Sequence, residues 1–245
     1  MANPIVIDMS HHQPDPIDWA RVKANGTVGI IHKATEGSSY VDDKLFSRAR
    51  AAMDAGLCWS TYHFLRPASD ITQQIKFYLS TIDPRQGERV CLDHEDAGVS
   101  LNQLKQAVKY IRDTRPDLQI AIYSGHVIED QLRGACDVYL SENTSLWTCE
   151  YGDSTPEWCT ATWPQWSLFQ YSDEETAFGI NGPVDGNKWN GSVENLVKWF
   201  GPAEEPAPPP EPEPGMDVVH VNIQAPPGVS VSVVLNGETI LAAVG

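Results

Sequence analysis

Arg89-Val90-Cys91-Leu92-Asp93-His94-Glu95-Asp96 is the stretch whose reading decides the fold. Arg89–Leu92 reads as a short buried strand, because it is a brief apolar run with two acids at its exit. Side chains alternate along a strand, so Asp93 and Glu95 project the same way, roughly 6–7 Å apart. Two acids held together repel, and burial adds to the cost of charging them. Glu95 is therefore expected to have a raised pKa. His94 is expected to point the other way, toward a helical layer. Taken alone, the pair also fits two solvated turn acids, so the neighbouring segments have to decide.

Those segments alternate short apolar runs with helical patterns. Pro4–Asp8 reads as a strand, Trp19–Ala24 as a brief helix stopped at Asn25-Gly26, and Val28–Lys33 as the next strand. Asp42–Ala55 is helical, with Leu45, Phe46, Ala49, Ala52 and Met53 on one face. Cys58–Phe64 is a strand, and Asp70–Ile82 a helix entered through Ser69. After the Asp93 strand, Ser100 caps a helix striped with Leu101, Leu104, Val108 and Ile111 that ends before Pro116. Gln119–Ser124 is another strand, and Val127–Arg133 a short helix.

The rhythm then changes. Val138–Leu140, Ser145–Cys149, Trp166–Tyr171 and Phe178–Val184 read as strands or loops without long helices between them. The pattern predicts an α/β fold, a TIM-like barrel of βα repeats with a β-rich last third. In such barrels the chemistry gathers at the C-terminal ends of the strands.

Pro202 to Asp217 is a Pro/Glu spacer, extended and self-repelling. Beyond it Val218–Ile223, Val229–Leu235 and Glu238–Ala242 read as strands, with Asn236-Gly237 as a hairpin turn. About 28 residues are too few to fold alone, so this tail has to pair with the main domain, another copy of itself or an outside surface. The expected division is 1–201, 202–217 and 218–245.

With a formal net charge of -16, the chain is a poor partner for nucleic acid or an anionic membrane, and a neutral or zwitterionic substrate such as a glycan fits better. Met1–Asp8 lacks a basic n-region and a long apolar run, so neither a signal peptide nor a membrane insertion is expected. Synthesis in the cytoplasm follows. Five cysteines without a C-x-x-C pair argue against a zinc knuckle or a full disulfide framework, although a Cys149–Cys159 bridge stays open. Cys91 is expected to be a small buried filler. The histidines are scattered, with no metal-ligand spacing, no Gly-rich phosphate loop and no G-x-S-x-G elbow. No metal or cofactor is expected.

Two further acids stand at strand ends, Asp8 in Ile7-Asp8-Met9-Ser10-His11-His12 and Asp185 in Pro183-Val184-Asp185-Gly186-Asn187. Each alone reads as a cap or turn acid. Together with Asp93 and Glu95 they place four carboxyls at one barrel mouth. A protonated acid for a leaving oxygen with an ionised partner beside it is what glycoside hydrolysis requires. Tyr62 and Tyr123, at strand exits, are candidates to stack on a sugar.

The ordered set resembles the family 25 glycoside hydrolases, the Chalaropsis-type muramidases found in many phage endolysins. It comprises Ile7-Asp8-Met9-Ser10-His11-His12-Gln13 with Ile17-Asp18-Trp19, Lys33-Ala34-Thr35-Glu36-Gly37, Tyr62-His63-Phe64, Leu92-Asp93-His94-Glu95, Leu146-Trp147, Gln170-Tyr171-Ser172 and Val184-Asp185-Gly186-Asn187. The resemblance runs from about Ile5 to Trp199. It implies a barrel with five βα units and cleavage of the β-1,4 bond between N-acetylmuramic acid and N-acetylglucosamine in peptidoglycan. Glu95 would be the general acid, and Asp93 would orient the substrate's 2-acetamido group as nucleophile. Asp8 and Asp185 would line the cleft floor, with Lys33, Tyr62, Tyr123 and Gln170 binding substrate. A phage endolysin leaving through a holin is the favoured role, and a catalytically silent glycan-binding protein on the same barrel the alternative. His32, where an aliphatic residue is expected, and Cys149, at a usually small position, depart from the pattern. The tail does not resemble the family's wall-binding repeats, and it is assigned to oligomerisation or binding.

Overall fold

The computed structural model describes residues 4–152 and 155–202, with the backbone of Ser232–Leu235 and Glu238–Leu241. The chain divides into two units, Met1–Ala203 and Glu204–Gly245. In the first, β1 (Val6–Met9), β2 (Gly29–Glu36), β4 (Cys58–Phe64), β5 (Arg89–Asp93), β6 (Gln119–Ser124), β7 (Ser145–Cys149), β8 (Leu168–Thr176) and β9 (Pro183–Trp189) form one ring. The ring closes because β1 pairs with both β2 and β9. Pairing is parallel from β1 through β8, and β9 runs antiparallel to both of its neighbours. A two-residue strand, β3 (Tyr40–Val41), adds to the edge of β2.

The helices are α1 (Trp19–Ala24), α2 (Leu45–Asp54), α3 (Ile71–Ile82), α4 (Leu101–Thr114), α5 (His126–Leu132), α6 (Val138–Asn143) and α7 (Val193–Phe200). Among the described residues none is long and apolar enough to cross a membrane. The α/β barrel expected from the alternating pattern is the fold observed. Ser100 caps α4 as read, in a reciprocal capping box with Gln103.

Alternation along the strands divides the apolar residues into two layers. Val90, Leu92, Ile120, Ile122 and Leu146 face outward and pack under α3 and α4. Cys91, Ala121, Tyr123, Trp147 and Leu168 face inward. Cys91 is fully buried there, as its small size predicts. The N-terminal end of the barrel is closed by α7, whose Leu196, Trp199 and Phe200 join the inner cluster. Gly29 makes room for that plug, since a Cβ there would overlap the Phe200 ring. Arg89 is buried beneath it, donating to the Trp199 carbonyl at 2.6 Å with its guanidinium 4.3 Å from the Trp199 ring. Burial, with no carboxylate partner among the described residues, pulls the Arg89 guanidinium down to about 10.

Several local expectations are corrected. The cap of α3 is Asp70, which accepts from the Gln73 amide, and not Ser69. On α2, Phe46 is 62% exposed and the buried position belongs to Arg48. Arg48 donates to the carbonyls of Ser10 and Gln13 at 2.7 and 2.6 Å, so it ties the loop after β1 to the helix. Val138–Leu140 is helical because the Asp137 side chain caps it by accepting from the Leu140 amide. The strand expected at Phe178–Val184 instead begins at Pro183, and α7, capped by Ser192, was not anticipated. All five cysteines are free thiols, so the Cys149–Cys159 bridge does not form.

In the second unit β10 (Ser232–Leu235) and β11 (Glu238–Leu241) pair antiparallel, with Leu235 opposite Glu238. That register is the hairpin expected around Asn236-Gly237, although the two turn residues themselves lie outside the described residues. So do the spacer beyond Pro202, the strand expected at Val218–Ile223 and the first three residues, Val229–Val231, of the strand expected at Val229–Leu235.

Candidate active site

Asp8, Asp93, Glu95 and Asp185 line one cleft of about 230 Å³ at the mouth of the barrel, with Tyr62, Tyr123, Trp147, Tyr151, Gln170 and Asp173. Asp93 is the last residue of β5, and its side chain points inward. The chain beyond it is pinned from β6 and α5. The His94 amide donates to the Tyr123 carbonyl at 2.9 Å, the Ser124 hydroxyl donates to the His94 carbonyl at 2.6 Å, and the His94 ring meets Gln131 at 3.0 Å. His94 thus faces the helices as expected, and Glu95 is brought back to the mouth.

Asp185 reaches the same mouth by another route. It is the third residue of β9, and because that strand runs antiparallel its beginning lies at the end where the parallel strands finish. The expectation of a strand-end acid was right in place and wrong in direction.

The acids differ in environment. Asp93 is buried, and its Oδ1 has no hydrogen-bond partner among the described residues. Burial first, then the Glu95 charge, holds its carboxyl well above the usual carboxylate range, with Lys33 opposing. Glu95 is exposed at the rim, and desolvation raises its pKa against the pull of Lys33 and Arg66. The raised Glu95 was expected, but the deeper-set Asp93 carries the stronger upward push. Asp8 is raised to about 6, by burial first, against hydrogen bonds from Asn187, Gln170 and Asp185. Asp185 is raised to about 9, by burial first and then by the charge of Asp8.

A polar layer lies beneath the acids. Gln170 Nε2 and Asn187 Nδ2 donate to the same oxygen of Asp8, Oδ2, at 2.9 and 2.8 Å. Tyr123 donates its hydroxyl to Gln170 Oε1 at 2.8 Å, and Cys149 donates to the same oxygen at 3.3 Å. The Trp147 indole donates to Asn187 Oδ1 at 2.7 Å and packs edge-on against Tyr123.

Of the residues expected to bind substrate, Tyr62, Tyr123 and Gln170 line the cleft. Lys33 does not. It stands beside the cleft on β2, paired with Glu36 and with its ammonium 5.0 Å from the Phe64 ring. Its charge still acts on Asp93 and Glu95. Tyr151, Asp173 and Trp147 were not singled out as lining the cleft. Tyr151 follows a strand end, a position that could have marked it, whereas Asp173 sits in a run of acids that carries no such signal. His32 is buried on the outer face of β2, stacked on Trp59, and desolvation lowers it to about 4. It does not touch the cleft. Among the described residues no three His, Cys, Asp or Glu side chains gather in a metal-holding set.

A second groove of about 490 Å³ shares Glu95, Tyr123 and Tyr151 with the cleft and extends past His126, Glu129 and Glu157. Chemically the site offers carboxyls held toward their protonated form at the wall of a cleft. It also offers a buried Asp93 oxygen with no hydrogen-bond partner among the described residues, and a groove that continues from the cleft.

Residues 7–180 match the family model described as Glycosyl hydrolases family 25. Lysozyme M1 of Streptomyces globisporus is 31% identical over 206 residues, covering 78% of this chain and 71% of the relative. The autolytic lysozyme of Clostridium acetobutylicum is 30% identical over 174 residues, covering 69% of this chain and 51% of the relative. Among solved structures, the bacterial lysozyme of Streptomyces coelicolor superposes with a TM-score of 0.69 at 27% identity, over 82% of this chain and 97% of that one. The family GH25 lysozyme of Aspergillus fumigatus gives 0.64 at 25% identity, over 79% and 97%.

Proposed function

This chain belongs to the glycosyl hydrolases of family 25, and we propose that it is a lysozyme hydrolysing the β-1,4 bond between N-acetylmuramic acid and N-acetylglucosamine in peptidoglycan. The observation that carries the reading is Asp93 Oδ1, a buried oxygen with no partner among the described residues, two residues before an acid whose charge desolvation disfavours.

In this reading the N–H of the muramic acid's 2-acetamido group donates to Asp93, which turns the amide oxygen toward C1. Glu95 gives its proton to the leaving glycosidic oxygen as that bond breaks, and the amide oxygen closes an oxazolinium ring on C1. Positive charge developing on that ring favours the ionised form of Asp93, which burial disfavours in the empty cleft. Glu95 then takes a proton from water as the water's oxygen attacks C1, and the ring opens with retained configuration. Asp8 and Asp185 line the floor, while Tyr62, Tyr123 and Gln170 contact sugar. Lys33 acts on the acids through its charge. No step calls for a cofactor.

The proposed division keeps residues 1–201 as the catalytic domain, 202–217 as a spacer and 218–245 as a tail for oligomerisation or binding. We assign the enzyme to bacteriolysis from the inside, as a phage endolysin reaching the wall through a holin. The barrel is shared with the endolysins CTP1L and ply40 at 21% and 17% identity, a likeness of fold.

The test is a digest of purified peptidoglycan, followed by borohydride reduction of the new sugar ends and mass spectrometry. Reduced muramic acid is the expected product. Reduced glucosamine would replace the muramidase by a glucosaminidase, and no cleavage would leave a glycan-binding barrel.

A further inference from the structure

The Asn187 amide beneath Asp8 has its orientation dictated by a group that can act in one sense only. An indole N–H donates and never accepts, so Trp147 fixes the Asn187 oxygen toward itself and turns the Asn187 NH₂ onto Asp8. Tyr123 and Cys149 both donate to the Gln170 oxygen, which turns the Gln170 NH₂ onto the same Asp8 oxygen. Asp8 Oδ2 therefore accepts two N–H bonds, the arrangement that favours a carboxylate over a carboxylic acid. Asp8 and Asp185 also face each other across the β1–β9 pair, placed for their carboxyls to share a hydrogen bond. Two carboxyls can share such a bond only if one of them carries a proton.

We propose that Trp147 and Asn187 are positioning residues that assign the one proton of the Asp8–Asp185 pair to Asp185, so that Asp185 donates to an ionised Asp8. This rests on the lysozyme reading for its purpose and not for its geometry. The titratable groups facing the pair are Tyr62 from β4, Cys91 and Asp93 from β5 with Glu95 beyond, Tyr123 from β6, Cys149 from β7 with Tyr151 beyond, and Asp173 from β8. They are acidic or neutral, and a second full charge on Asp185 would add to the repulsion around Glu95. With the proton on Asp185, one floor carboxyl is neutral, and its second oxygen is left to accept from a sugar hydroxyl.

The experiment is carbon-13 NMR of the Asp side-chain carboxyls in the full-length protein, which needs no activity. At pH 7 the wild-type Asp185 carboxyl should show the protonated shift and Asp8 the ionised one. In Asn187→Leu the proton's preference for Asp185 over Asp8 should fall about tenfold, and both resonances should move in opposite directions. Trp147→Phe should move them the same way by less. A wild-type pair with both carboxyls ionised at pH 7, or with the proton on Asp8, overturns the proposal. So does an unchanged proton assignment in a folded Asn187→Leu. A protein that shows the expected shifts but leaves peptidoglycan uncut would sink the lysozyme reading alone.

Discussion

Asp8 and Asp185 stand directly opposite each other on the antiparallel pair β1–β9, which brings two acids face to face. Both carboxyls are raised, to about 6 and about 9, from a usual value near 3.8. Between the ordinary carboxylate range and those values the folded protein holds protons that the unfolded chain has released. The unfolded state then binds fewer protons, so stability falls as pH rises through this window. Asp185→Asn removes the group that titrates last and leaves an N–H to donate to Asp8. Thermal melts from pH 5 to 9 should show the wild type losing stability relative to the variant. A gap widening by about 1 kcal/mol would appear as about 2–4 °C in Tm. Parallel Tm curves for the two proteins would contradict the raised Asp185.

Glu95→Gln keeps the shape of the side chain and removes its proton transfer. General acid catalysis contributes about 10²- to 10⁴-fold, so turnover of soluble glycan fragments should fall within that range. Fragment affinity, read by calorimetry, should change little. Unaltered lysis would assign the acid elsewhere, with Asp93 the next candidate.

The pH–rate profile carries a separate expectation. Glu95 has to be protonated to act, and desolvation raises its pKa. kcat/KM should therefore fall on the alkaline side, at a pH above the usual glutamate value, and salt should move that limb by screening Lys33 and Arg66. A rate flat from mildly acidic to strongly alkaline pH would exclude Glu95 as the acid.

How legible this was depends on how local the signal is. β4 and β6 were read to the residue, because each is an apolar run bounded by turn signals. Asp8, Asp93 and Glu95 could be placed at one mouth because the ends of parallel strands in a barrel share one face, whereas Asp185 comes there from the beginning of an antiparallel strand. What escaped were features decided by distant partners. Arg48 is buried because loop carbonyls after β1 need donors, and nothing within α2 announces them. The direction of β9 is set by pairing with β1 and β8, which its own pattern does not encode. α7 could have been found, since Ser192, Leu196, Trp199, Phe200 and Gly201 form a cap, a stripe and a stop.

The plug at the bottom of the barrel should behave as one unit. Gly29→Ala places a methyl into the Phe200 ring and should cost about 1–3 kcal/mol of stability. Phe200→Ala should cost about 3–5 kcal/mol by opening a cavity among Val6, Ile31 and Leu168. The double variant Gly29→Ala/Phe200→Leu should recover part of the first loss, because the smaller side chain admits the methyl. Urea melts of Gly29→Ala, Phe200→Leu and the double variant beside the wild type read this directly, and strictly additive losses would mean that Gly29 and Phe200 do not share space.

Truncation after Gly201 separates the catalytic reading from the tail. The last helix of the first unit ends at Phe200, and the plug it forms lies wholly before the cut. The spacer that follows is rich in proline and glutamate and should contribute nothing to the core. The shortened protein should keep the wild-type Tm and the wild-type kcat/KM on soluble fragments. A change confined to whole cells or intact sacculi would assign the tail to wall binding, and a change confined to sedimentation would assign it to association between copies. Collapse of the barrel on truncation would mean instead that residues after Gly201 are part of the fold.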